Sequence, residues 1–87
     1  MNTYKLTVAT PDGNRFQGEA VALYLRGAEG DLAVLAGHTP FITSVQAGKC
    51  RIELPDNTEK SALLDGGLLT VSANAVTLLS GSFQWEE

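Results

Sequence analysis

Cysteine occurs once, at Cys50, and histidine once, at His38. A lone cysteine leaves no internal disulfide and makes a reducing compartment the default expectation. One of each falls short of the zinc sites built from these residues, and no spacing gathers acids as a calcium loop does. Basic residues are also sparse: six lysines and arginines are spread from Lys5 to Lys60 against ten acids, for a net charge of -4. Nucleic-acid binders cluster their cations, so that balance excludes such a partner. No apolar run approaches the roughly 18 residues of a spanning helix, and none stands behind a charged N-terminus as in a leader peptide. The chain is therefore expected to be soluble and to meet a membrane only through other proteins. A phosphate loop is missing too. Gly48-Lys49 is followed by Cys50, and Thr43 stands where the first glycine belongs, so amides, ammonium and hydroxyl do not converge.

What is present is apolar residues, at 44%, against 18% charged, in a chain of 87 residues. That composition is globular and fits one domain, which buries only about 60 to 65% of its unfolded surface. Tyr4 to Thr10 alternates, with Leu6 and Val8 on one face and Lys5 and Thr7 on the other, the period of a half-buried strand. Pro11-Asp12-Gly13-Asn14 is a tight-turn signal, so Arg15 to Glu19 should return antiparallel. Cys50, Ile52 and Leu54 alternate with Lys49, Arg51 and Glu53; Pro55-Asp56-Asn57 then breaks the run, and Thr58 to Asp65 forms the second arm of a hairpin. After Gly66-Gly67, Leu68 to Ser72 and Ala75 to Ser80 are joined by Ala73-Asn74, where asparagine is expected to supply left-handed geometry.

No stretch repeats at helical spacing, so the expected fold is all-β: an antiparallel sandwich of about eight to ten short strands without a helix. Residues 1–82 would form the sandwich and residues 83–87 a short tail, whose aromatics Phe83 and Trp85 either pack on an edge or stay loose.

The stretch from Gly27 to Pro40 is punctuation around one short strand. Gly27, Gly30 and Gly37 permit turns on both sides of Leu32 to Leu35, and Pro40 keeps His38 and Thr39 in an extended connection. Glu29, Asp31 and His38 fall in those loops and are the polar residues with the best claim to function. The plain alternatives are solvated turn acids and a loop histidine bonded to backbone or exposed. A nucleophile using His38 as its base would need a third, orienting group, which nothing in the sequence marks. Cys50 sits on an apolar face and reads as a small buried hydrophobe.

The outward faces carry an apolar surplus. Ala22 and Tyr24, Leu63 or Leu64, and Leu78 or Leu79 compete for an interior too small for all of them. Either the short sheets are covered by their own loops, or some of these residues, with Tyr24 and Leu78 as candidates, face a partner. A free-standing binding module for a small ligand or another protein is the alternative function class, and it requires a concave aromatic site.

The residues nevertheless resemble a known family, the epsilon subunit of F-type ATP synthase, in its N-terminal sandwich domain. The resemblance rests on Thr10-Pro11-Asp12, Phe16-Gln17-Gly18-Glu19, Gly30-Asp31-Leu32-Ala33-Val34-Leu35, Gly37-His38-Thr39-Pro40, Thr43, Gly48, Gly66-Gly67, Val71, Asn74 and Val76-Thr77-Leu78-Leu79. It covers nearly the whole chain. It departs at Ala33 and Ala36, where the family often has glycine and proline, and in stopping at Glu87 without the family's C-terminal helical hairpin. The resemblance implies a non-catalytic subunit of the central stalk that packs on the gamma subunit and the ring of c subunits, at the cytoplasmic face of a bacterial energy-coupling membrane. No cofactor is implied. The loops bearing Glu29, Gly30, Asp31, His38 and Thr39 would then lie near the c ring and gamma, the apolar surplus at Tyr24 or Leu78 would meet gamma, and the domain would act as a stiff wedge in rotary coupling.

Overall fold

The computed structural model of the chain describes residues 2–37 and 39–86. The strands are β1 (Tyr4–Thr10), β2 (Gly13–Ala20), β3 (Ala22–Gly27), β4 (Gly30–Leu35), β5 (Phe41–Val45), β6 (Gly48–Glu53), β7 (Glu59–Leu64), β8 (Gly67–Val71), β9 (Ala75–Ser80) and β10 (Phe83–Trp85). Among the described residues there is no helix. One layer runs β4-β3-β6-β7-β10 and the other β5-β8-β9-β1-β2, joined at a corner where Gly27 of β3 pairs with Val45 of β5. The all-β sandwich predicted from turn spacing is what forms.

Alternation decides which side chains fill the space between the layers. Leu6 and Val8 of β1, Leu23 and Leu25 of β3, Cys50 and Ile52 of β6, and Leu69 and Leu78 of β8 and β9 point inward and are buried together. Burial pushes the Cys50 thiol up to about 11, because a thiolate there would lack solvent. Tyr4 ties the layers by a polar contact, its hydroxyl donating to the Val34 carbonyl of β4 at 2.8 Å.

Three local expectations are corrected. First, β1 and β9 pair in parallel, Leu6 against Val76 and Val8 against Leu78, so the sheet is not wholly antiparallel. A parallel pair needs a long crossover and leaves no hairpin signal in the sequence. Second, the left-handed asparagine is Asn57, with φ 69°, in the β6–β7 turn, and among the described residues it is the only one besides glycine; the Asn74 turn closes instead with the Ser72 amide donating to the Ala75 carbonyl. Third, Gly27 is absent from the left-handed positions that include Gly30 and Gly37. A Cβ on Gly27 would come within 3.3 Å of the Gly30 carbonyl, so its role is close packing in the turn.

Of the alternatives left open for the tail, the structure takes the edge. β10 pairs with β7, Phe83 opposite Leu64 and Trp85 opposite Ala62, and Phe83 is buried. Phe16 of β2 meets Trp85 edge-on with ring centres 6.1 Å apart, and Arg15 donates to the Phe83 carbonyl at 3.2 and 3.4 Å. The open side between the layers is thus closed by β10.

The entry to β10 is held by Asp65. Its carboxylate accepts from the Ser82 amide at 3.0 Å and faces the Ser80 hydroxyl at 3.1 Å, while that hydroxyl also reaches the Gly66 and Ser82 carbonyls at 2.6 and 2.7 Å. The Ser82 amide, and after it the Ser80 hydroxyl, hold the Asp65 carboxyl below the usual carboxylate range. A depressed folded pKa adds stability above the unfolded pKa and withdraws it as pH falls through the folded one. Denaturant midpoints between pH 5 and pH 2 are therefore expected to fall less steeply in Asp65→Asn than in the parent chain. Asp56, held low by the Thr58 hydroxyl and amide, leaves a residual slope in both; identical slopes would remove Asp65 from this account.

Candidate partner interface

β4 separates the residues that the sequence placed in one functional stretch. Glu29 lies in the β3–β4 turn and Gly30 and Asp31 open β4, whereas Thr39 follows its far end. The five steps between the six residues of β4, at about 3.3 Å each, span roughly 16 Å, so these loops sit at opposite ends of the sandwich. His38 lies outside the described residues. The Glu29 end gathers the β1–β2, β5–β6 and β7–β8 connections: Gln46 donates through its backbone amide to the Arg26 carbonyl and through its side chain to the Ala28 carbonyl. Asp12, Glu29, Asp31 and Asp65 make this an acidic end, with Asp31 3.9 Å from Arg26 in an exposed ion pair. The Thr39 end adjoins the Ser72-Ala73 turn of β8–β9 through the surroundings of Ala36 and Gly37.

The two outer faces differ in kind. On the β3-containing layer Tyr24 is half-buried, as expected of an outward aromatic, but its surroundings are satisfied within the chain. Its hydroxyl donates to Glu53 at 3.0 Å, which raises the phenol pKa, and the Arg51 guanidinium lies 4.5 Å above its ring. Arg51 also approaches Glu59 at 3.7 Å, and Lys49 approaches Glu86 at 3.4 Å. Such a lattice of exposed opposite charges suits water.

On the other layer Leu78 is fully buried, which corrects its assignment as an outward residue; its neighbour Leu79 is the one outside, 46% exposed. On β7 of the β3-containing layer, likewise, Leu64 is core and Leu63 is exposed. Two cross-strand rows make up the Leu79 face: Ile42–Thr70–Thr77–Thr7 and Ser44–Leu68–Leu79–Ala9. Neither row holds a charged residue. Ile42 is 67% exposed and Leu68 42%, so an apolar patch is left open in a chain where most outward positions are polar. Sequence reading missed Ile42 and Leu68 because both stand in short runs where either parity is apolar. Only the registry against β9 and β1 sorts them.

The aromatic residues do not converge on a concavity. Phe16, Phe83 and Trp85 pack on one another, Phe83 and Trp85 with centres 4.9 Å apart, and Tyr4 belongs to the core.

Residues 3–86 match the family described as ATP synthase, Delta/Epsilon chain, beta-sandwich domain. The chain belongs to this family. Among relatives of the delta/epsilon sandwich, an ATP synthase epsilon chain of Delftia acidovorans (strain DSM 14801 / SPH-1) is 40% identical over 80 residues, 92% of this chain. That of Polaromonas naphthalenivorans (strain CJ2) is 42% identical over 80 residues, again 92%. The chain spans 58% of the length of each. The sandwich superposes on a chain of the Euglena gracilis mitochondrial ATP synthase (OSCP/F1/c-ring in rotational state 1) with TM-score 0.90 and 22% identity, covering 95% of this chain and 53% of that one. A chain of the Tetrahymena thermophila mitochondrial ATP synthase central stalk and c-ring structure gives TM-score 0.79 at 16% identity, covering 94% and 66%. At those identities the likeness establishes the fold.

Proposed function

We propose that this delta/epsilon sandwich is an epsilon-type central-stalk subunit of a rotary ATP synthase, non-catalytic itself, that packs on gamma through the outer face of β5-β8-β9-β1. The complex would sit at the cytoplasmic face of a bacterial energy-coupling membrane, and the acidic Glu29–Asp31 end would point towards the c ring. The observation that carries the reading is the contrast between faces: Ile42, Leu68 and Leu79 stand open in uncharged rows, while the opposite face pairs its own charges. Depletion of charge at the centre of a patch marks interface cores. The epsilon-chain relatives, and a fold shared with chains of stalk and c-ring assemblies, support it.

The placement departs from the sequence expectation in two respects, the first being that Thr39 lies at the end away from Glu29 and Asp31 and is not directed to the c ring with them. The second is that Tyr24 is assigned to the solvent face, and Ile42 and Leu79 take the role foreseen for Tyr24 and Leu78.

The test is sizing chromatography of the chain with purified gamma from the same organism, with and without its c-ring complex. A stoichiometric complex that Ile42→Asp abolishes is expected, since that residue is outward and its change leaves the fold intact. No complex from the folded chain, or equal binding by Ile42→Asp, would overturn the reading.

A further inference from the structure

The layer whose charges pair with one another has a gap in it. β3 keeps register with β6 only from Ala22–Glu53 to Tyr24–Arg51; it then swings to the corner, where Gly27 pairs with Val45 and the Arg26 carbonyl accepts from the Gln46 amide. β6 does not follow. Its first residues, Gly48 to Cys50, stay with β7, opposite Leu64 to Ala62. The two strands part around a cleft of about 530 Å³, with Tyr24 and Ala33 in its walls and the core residues Leu25 and Cys50 among its lining.

Charge is unevenly shared along this cleft. Arg26, Lys49 and Arg51 line it, half of the six lysines and arginines of a chain whose net charge is -4, against one acid, Asp31. Three cations less one acid leave the lining at +2. None of the three is closely neutralised. Asp31 stands 3.9 Å from Arg26, Glu59 3.7 Å from Arg51 and Glu86 3.4 Å from Lys49, all beyond the roughly 2.7 to 2.9 Å of a charge-assisted hydrogen bond, and the three cationic side chains are open to water. Exposed pairs of that kind contribute little, so a better anion displaces them at little loss. Glu53, the other acid beside the cleft, accepts from the Tyr24 hydroxyl, and the Tyr24 ring carries the Arg51 guanidinium 4.5 Å above it, which holds one guanidinium at the wall.

We infer that the cleft between β3 and β6 is a site for a small phosphorylated anion bearing two or more negative charges. The two guanidiniums present planar forks of donors that match phosphoryl oxygens, the Lys49 ammonium adds a point charge, and the surplus of +2 exceeds what a single carboxylate neutralises. The inference is independent of the stalk reading, which leaves this face to solvent.

The test is a titration of the full chain with sodium pyrophosphate at constant ionic strength, followed by calorimetry and by amide NMR. Arg26→Gln, Lys49→Gln and Asp31→Asn alter the cleft, and Lys5→Gln removes the same charge from β1 in the other layer; all four positions are exposed, so the fold is kept. Saturable binding is expected, with shifts concentrated at residues 24–26 and 48–51. Loss of one charged donor should weaken it roughly ten-fold in Arg26→Gln and in Lys49→Gln, while Asp31→Asn binds more tightly and Lys5→Gln matches the parent. Phosphatidylglycerol vesicles at equal phosphate concentration separate a free anion from a lipid headgroup, and the parent chain is expected not to sediment with them. Shifts that grow without saturation, equal weakening by Lys5→Gln and the cleft variants, or sedimentation with vesicles in the absence of a pyrophosphate response would each overturn the site.

Discussion

Gly67→Ala is expected to lower stability by more than about 3 kcal/mol, which in a domain of this size moves the thermal midpoint by roughly 12 to 24 °C. Gly67 begins β8 and is paired on both sides, to Val45 of β5 and Ser80 of β9. With φ at +155°, a Cβ there would lie 1.9 Å from the Leu79 carbonyl oxygen and 2.9 Å from its carbon. Nothing flexible stands in the way. The obstacle is backbone held in a ladder, so β8 and β9 must separate at that pair, and the loss falls on the strand that carries Leu69 and Val71 into the core. Gly13→Ala is the matched control: its φ is +124°, yet a Cβ meets nothing within 4 Å. It should lose about 1 kcal/mol, the usual strain of an L residue in that region without a collision. Chemical denaturation of the two variants measures the difference, and equal losses would mean that strain, and not the contact with Leu79, governs Gly67.

The second large effect separates neighbours. Leu78→Asp should leave the chain unfolded, since Leu78 is completely buried beside Leu6 and Leu69 and an uncompensated charge there costs about 3 to 5 kcal/mol on top of the lost packing. A domain with roughly 5 to 15 kcal/mol of total stability has little left after that. Leu79→Asp places the same charge one residue on, where the side chain faces solvent. That variant should keep its circular dichroism spectrum and melting point close to the parent's and fail to bind gamma. A folded Leu78→Asp would contradict the burial of β9 described above. A Leu79→Asp chain that binds gamma normally would move the partner to another face.

This pair of residues also shows what the sequence carries and where it stops. Pro11-Asp12-Gly13, Pro55-Asp56-Asn57 and Ala73-Asn74 announce three hairpins, because turn chemistry is local and the strands they join are neighbours in both sequence and space. Leu78 and Leu79 cannot be sorted in the same way: a period of two assigns them to opposite faces but does not say which face is inside. That choice depends on β1 lying beside β9, with Val8 against Leu78 and Ala9 against Leu79, and those residues are remote in sequence. Glu29 and Thr39 illustrate the converse error. They are close along the chain and share loop chemistry, yet a straight β4 between them sends one to each end of the sandwich. Tyr24 was legible as an outward aromatic, while the Glu53 and Arg51 that occupy it come from β6, across a connection the sequence does not register.

The parallel seam between β1 and β9 bears on how the molecule is made. Of the two neighbours of β1, β2 follows it at once, but β9 is made only after seven intervening strands. Until residues 75–79 emerge, Leu6 and Val8 have half of their layer missing and remain exposed on a lone hairpin, which is at best marginally stable in water. Closure of so long a loop precedes any reward from the contacts it brings, which slows folding and makes it cooperative across the whole chain. The nascent sandwich therefore has no stable half. It is completed as a unit after synthesis has passed β9, and a chaperone that shields the β1–β2 hairpin in the interval would protect the same apolar residues that later form the centre of the domain.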